Sequence, residues 1–171
     1  KKAMKILLTG ASGRVGRAVY IRLCREHHVI GFDQAPSSTA DVVASLGNEP
    51  ALRAALRGVE AVIHTAALHA PHVGHQSESA FEEINVQGTA ALLRLALQAG
   101  VSRFVYTGTT ALYGAGAAPA GQAAWVTEET TPQPQTIYHR TKWAAARALQ
   151  AAAHRPPAAV PAPHPSRCTP E

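Results

Sequence analysis

Cysteine is scarce in this chain: Cys24 and Cys168 stand alone, with no metal-binding spacing and too few thiols for a disulfide framework. Both read as packing or incidental residues. Aromatic residues make up 5% and charged residues 16% of the 171 positions. No apolar run approaches the roughly 18 residues that a bilayer crossing needs, and no signal-peptide core stands near the start. The expectation is a cytoplasmic protein with no membrane partner. A polybasic run is missing too. The net charge is +5, yet the basic residues are scattered, and the four at Arg14, Arg17, Arg22 and Arg25 read as one solvated helix face. No nucleic-acid partner is expected.

Hydrophobic residues make up 46% of the chain, and its length suits one domain with a real core. The stretch from Met4 to Gly16, M-K-I-L-L-T-G-A-S-G-R-V-G, organises the rest as a strand, a tight turn and a helix start. Gly10 lets the chain leave the strand at angles closed to other residues, Gly13 lets a phosphate approach the backbone, and Gly16 lets the helix pack closely. Unpaired N–H groups at the helix start, around Arg14 and Val15, suit an anionic pyrophosphate. Glycines alone would equally suit a turn without a ligand. Their context favours the ligand: a second strand, Val29 to Phe32, ends at Asp33, and an acidic residue about 20 positions on can hold the adenosine ribose hydroxyls. Gln34 follows with no arginine beside it, so a 2′-phosphate would be repelled and NAD is favoured over NADP.

Further along, a third strand is expected at Asp41 to Ala44 and a helix over Asn48 to Arg57, stopped by Gly58. A fourth strand at Ala61 to His64 leads into Thr65-Ala66-Ala67, small residues where a ligand could lie. The loop 68–76 holds His69, His72 and His75, whose even spacing hints at metal ligands. With no second His or Cys pair, it reads as a solvent-facing or substrate-side loop, and no metal is expected. The spacing predicts one helix over Ser77 to Ala99, closed by Gly100. Asn85 inside it is either exposed or holds something polar near the site. Arg103 to Tyr106 is the fifth strand, with Thr107-Gly108-Thr109-Thr110 at its end. A glycine- and proline-bearing loop precedes an alanine-rich helix over Ile137 to Ala153. Strands alternating with helices predict an α/β protein with a doubly wound parallel sheet, whose ligands bind beyond the carboxyl ends of the strands. Gly10, Asp33, Thr65 and Thr109 all fall at such ends.

Tyr138 and Lys142 lie four positions apart on that last helix, so they share a face. A nearby ammonium favours tyrosinate and brings the phenol toward acid/base use near neutral pH. A surface Tyr with a Lys one turn on would look the same; the Thr109 hydroxyl, able to hold a substrate oxygen whose proton Tyr138 takes, favours the catalytic reading.

These stretches together, Thr9 to Gly16, Asp33, His64-Thr65-Ala66-Ala67, Asn85-Val86-Gln87-Gly88-Thr89, Thr107 to Gly114 and Tyr138-His-Arg-Thr-Lys142, resemble the extended short-chain dehydrogenase/reductase family, the NAD-dependent epimerase/dehydratases. The resemblance runs from Met4 to about Ala153. It implies a Rossmann-type domain over 4–153 and NAD as cofactor. It also implies an epimerase, dehydratase or dehydrogenase acting on a hydroxyl of a sugar, nucleotide sugar or similar polyol. Tyr138 would remove the hydroxyl proton, Lys142 would hold the nicotinamide ribose and tune Tyr138, and Thr109 would stand where the family has its catalytic Ser or Thr. By position Ala66, Ala67, Asn85 and Thr107 fall on the cofactor side. The helices at Ser77 to Ala99 and at Tyr138 imply a possible homodimer.

Two departures from the family matter. Ser45-Leu46 stands where an Asp-Leu or Asp-Ile pair usually contacts adenine, which weakens that contact or leaves it to the backbone. The stretch 154–171 carries six of the chain's twelve prolines, where the family continues with a strand and a substrate lobe. Proline lacks the N–H of a central strand, so an extended or disordered tail is expected, with the lobe missing by truncation or supplied by a partner. An NAD-binding module without turnover is the alternative reading.

Overall fold

The computed structural model describes residues 2–114 and 125–153. The proline-rich stretch 154–171, Cys168 and part of the loop before the last helix lie outside the described residues.

Five strands form one parallel sheet: β1 (Lys5–Thr9), β2 (His28–Asp33), β3 (Val42–Val43), β4 (Ala61–His64) and β5 (Arg103–Tyr106), in the order β3-β2-β1-β4-β5. The helices are α1 (Arg14–Leu23), α2 (Glu49–Ala55), α3 (Glu78–Phe81), α4 (Thr89–Gln98) and α5 (Ile137–Ala153), with a π-helical turn at Glu82–Gly88 joining α3 to α4. The central strand β1 pairs on both sides, so Thr9 at its end meets Phe32 and His64 in register. Successive side chains of a strand face opposite ways, and β1 divides its apolar residues accordingly. Leu7 joins the larger core with Phe32, Val62, Leu52 and Leu56 of the α2 region, and Leu92 and Leu95 of α4. Leu8 faces Val29 and the α1 residues Val19, Tyr20 and Leu23.

Two expected elements take a different form. β3 is two residues long because the Asp41 side chain, not its backbone, accepts the Gly31 N–H at 2.7 Å. The single helix expected over Ser77 to Ala99 is broken by the π turn, and its ends agree with the pattern: Ser77 caps α3 by accepting the Ala80 N–H, and Gly100 closes α4 at φ +75°. No helix among the described residues is long and apolar enough to cross a membrane.

Candidate functional site

The turn after β1 is built on close approach. Gly10 sits at φ +73°, and a Cβ there would lie 2.5 Å from Thr65 Oγ1. At Gly16 a Cβ would lie 1.9 Å from the Gly10 carbonyl oxygen, so α1 rests directly on the turn. No side chain caps α1 at Gly13. The first N–H groups of a helix have no partner inside it, so the start of α1 offers donors to the cleft that Gly13, Arg14, Val15 and Gly16 line.

At the end of β2, Asp33 accepts the Ser12 N–H on Oδ2 at 3.0 Å and the Ala35 N–H on Oδ1 at 2.9 Å. Ser12 Oγ donates to the Ala35 carbonyl at 2.6 Å, which ties the loop after β2 to the glycine turn. An ionised carboxylate has about four acceptor positions, so Asp33 keeps capacity for two ligand hydroxyls while it holds both loops.

A cleft of about 790 Å³ runs along the carboxyl ends of the strands. Gly10, Gly13, Arg14, Val15, Gly16, Asp33, Ser45, Leu46, Thr65, Ala66, Ala67, Thr107 and Lys142 all line it. Asn85, Thr109 and Tyr138 do not. Asn85 is 1% exposed: its Oδ1 accepts the Leu68 N–H at 2.8 Å, and its Nδ2 donates to the Leu68 carbonyl at 2.9 Å and to Thr141 Oγ1 at 3.1 Å. Of the two alternatives left by the sequence, exposed or holding something polar, the second describes it, and what it holds is the loop after β4. Thr109 caps the 3₁₀ turn Thr110–Tyr113 by accepting the Ala111 N–H at 3.2 Å, a bond that leaves its own O–H unused. Tyr138 is half-buried against the cluster of Leu68, Phe81 and Ile137.

Lys142 is buried, 4% exposed, at the cleft floor. Its Nζ donates to the Thr107 carbonyl at 2.6 Å and lies 4.1 Å from the centroid of the Tyr106 ring. Burial lowers its pKa to about 8. Below the cleft, His64 is wholly enclosed, with Nδ1 at 2.6 Å from Thr9 Oγ1 and Nε2 at 2.8 Å from Thr89 Oγ1. Burial, helped by the Lys142 charge, lowers its pKa to about 3. In the loop after β4, His72 Nδ1 accepts the His69 N–H at 3.0 Å, and no group of three metal-ligating side chains stands together among the described residues.

Ser12, His64, Thr89 and Tyr106 are the site's supports that sequence reasoning did not single out as such. Tyr106 carried a readable signal, a polar-tipped aromatic on the same face of β5 as the inward Phe104.

A parallel sheet in this order, with a glycine-rich turn at α1 and an acidic residue ending β2, is the frame of a dinucleotide-binding α/β protein. The chain belongs to the NAD dependent epimerase/dehydratase family, whose pattern matches residues 6–159. It is 34% identical, with a TM-score of 0.77, to a short-chain dehydrogenase/reductase superfamily protein from Agrobacterium tumefaciens with bound NAD, covering 88% of this chain and 45% of that one. A UDP-glucose-4-epimerase from Stenotrophomonas with bound NAD and formylated UDP-arabinopyranose is 26% identical at a TM-score of 0.77, over 88% and 48% of the two chains. Among curated relatives, a 3 beta-hydroxysteroid dehydrogenase/Delta 5-->4-isomerase of Mycobacterium tuberculosis is 31% identical over 157 residues, 84% of this chain and 41% of the relative. The chain thus spans about half the length of these proteins or less.

Proposed function

We propose that this chain is the cofactor-binding half of an NAD-dependent enzyme that oxidises a secondary hydroxyl of a sugar or nucleotide sugar. The observation that carries the proposal is one cleft lined at once by the α1 start, Asp33, Thr65, Thr107 and Lys142. The residues fit a dinucleotide: donors at the start of α1 for the pyrophosphate, a carboxylate with spare acceptor positions for ribose hydroxyls, and an ammonium toward the opposite end. Asp33 repels a 2′-phosphate, which favours NAD over NADP.

The chemistry that bound NAD supplies is acceptance of a hydride. The chain's own residues would do the rest: Thr109 would donate its O–H to the substrate oxygen, Tyr138 would take the hydroxyl proton, and Lys142, which gives one N–H to the Thr107 carbonyl, would offer another to the nicotinamide ribose. Leu46 and the backbone around Ser45 line the adenine end. The Stenotrophomonas epimerase with its bound nucleotide sugar favours a sugar substrate. The 3 beta-hydroxysteroid dehydrogenase relative favours a sterol hydroxyl as the second reading. A homodimer through α4, where Leu97 is 60% exposed, and α5 belongs to the same proposal.

Calorimetry with NAD and NADP, beside turnover assays on UDP-glucose, uronates and a 3β-hydroxysterol, tests this. The expected result is NAD binding at least tenfold tighter than NADP, with turnover lost in Tyr138→Phe. Absence of NAD binding at millimolar concentration overturns the proposal, and binding without any product from wild type reduces the chain to an NAD-holding module.

A further inference from the structure

A buried ammonium ordinarily pairs with a carboxylate, and among the described residues Lys142 has none. The ion pairs among the described residues are Arg22–Glu26, Arg53–Glu49, Arg94–Glu49 and Arg140–Glu78, all on the surface. Among the described residues, the titratable groups that act on or touch Lys142 are His64 from β4, His69 from the loop after β4 and Tyr106 from β5, and Tyr138 stands one turn earlier on α5. None is a carboxylate. The Thr107 carbonyl takes one of the three N–H donors. The remaining charge lies over the Tyr106 ring, within the roughly 6 Å at which a ring face attracts a cation.

That ring is itself held. It packs tilted at 35° on the His64 ring, centroid to centroid 5.7 Å, and the Tyr106 hydroxyl donates to the Lys142 carbonyl at a long 3.5 Å. His64 is clamped on both nitrogens by Thr9 and Thr89, so the support runs unbroken from β1 through β4 to β5 and then to α5.

We propose that Tyr106 is a positioning residue for Lys142, its ring face holding the ammonium at the cleft floor in place of a carboxylate. The choice of partner has a chemical reason. A carboxylate would fix the ammonium in a directional ion pair, whereas a ring face attracts the charge without engaging a particular N–H. Lys142 therefore stays anchored yet keeps N–H donors for hydroxyls of a bound ligand. The functional consequence rests on the dinucleotide reading of the cleft; the anchoring itself does not.

The test is the titration of Lys142 by NMR in the whole chain with ¹³C-labelled lysine, where the other lysines are Lys1, Lys2 and Lys5. Tyr106→Phe keeps the ring face and is expected to leave the midpoint unchanged. Tyr106→Leu keeps the bulk, loses the ring face, and is expected to lower the midpoint by about one pH unit. Because Tyr106→Leu could disturb the fold, fluorinated phenylalanines at position 106 supply a shape-conserving series, in which the midpoint falls as fluorines drain the ring face. A midpoint that stays at the wild-type value in Tyr106→Leu and across the fluorinated series overturns the proposal. NAD affinity measured against pH on the same samples separates the two ideas: if wild type binds no NAD while the Lys142 midpoint follows the ring, the anchoring stands and the dinucleotide reading fails.

Discussion

His64 is a residue whose two nitrogens are both committed inside the protein, and its surroundings decide its charge. Enclosure between Thr9 and Thr89 lowers its pKa from 6.5 to about 3, so the native chain keeps it neutral where an unfolded chain would protonate it. Between these two values the unfolded state binds more protons, and stability falls as the pH falls, by about 1.4 kcal/mol per pH unit. At pH 5 the wild type is expected to have lost about 2 kcal/mol more, relative to pH 7, than His64→Gln, read from urea midpoints at each pH. A pair of parallel pH profiles would show that His64 is not the cause. The residue was legible as the end of an apolar strand; its clamp was not, because Thr9 and Thr89 are 55 and 25 positions away from it.

At the scale of elements, the π turn at Glu82–Gly88 is where local pattern and structure part. Periodic apolar residues read straight through it, since a π turn adds one residue per turn and leaves the composition of the stretch unchanged. It coincides with the inward placement of Asn85, whose amide serves both polar groups of Leu68 and reaches Thr141 on α5. Asn85→Leu would leave the N–H and C=O of Leu68 without their buried partner. A loss of about 2–4 kcal/mol in unfolding free energy is expected, together with weaker NAD binding, because Ala67 and Leu68 line the cleft. An Asn85→Leu protein as stable as wild type would remove the tie from this account. Apart from the shortened β3, the other elements follow their patterns closely. Asn48 caps α2 by accepting the Ala51 N–H, and Gly58 turns the chain after α2 at φ +68°, both signals carried by single residues and their neighbours.

Among the described residues, the two faces of the sheet are covered unequally. α2 and α4 close one face over a large core, while on the other α1 packs on Leu8 and Val29, and Val105 of β5 stays 55% exposed. A ligand that ties the strand ends together has much to add to such a molecule. NAD at 100 times its dissociation constant is expected to stabilise the chain by about 2.7 kcal/mol, a rise in Tm of roughly 5–10 °C in a thermal melt. NADP at the same concentration should give a smaller rise, and an unchanged Tm with both would count against the dinucleotide cleft. By itself the sequence determined the parallel α/β class, the glycine turn and the acidic end of β2, because each is carried by residues within a turn or by a regular spacing. Only the tertiary structure decided that Asn85 faces a loop, that Asp33 braces two others, and that Lys142 rests on an aromatic ring. Those outcomes depend on residues from separate strands and helices meeting at one edge, which no local pattern records.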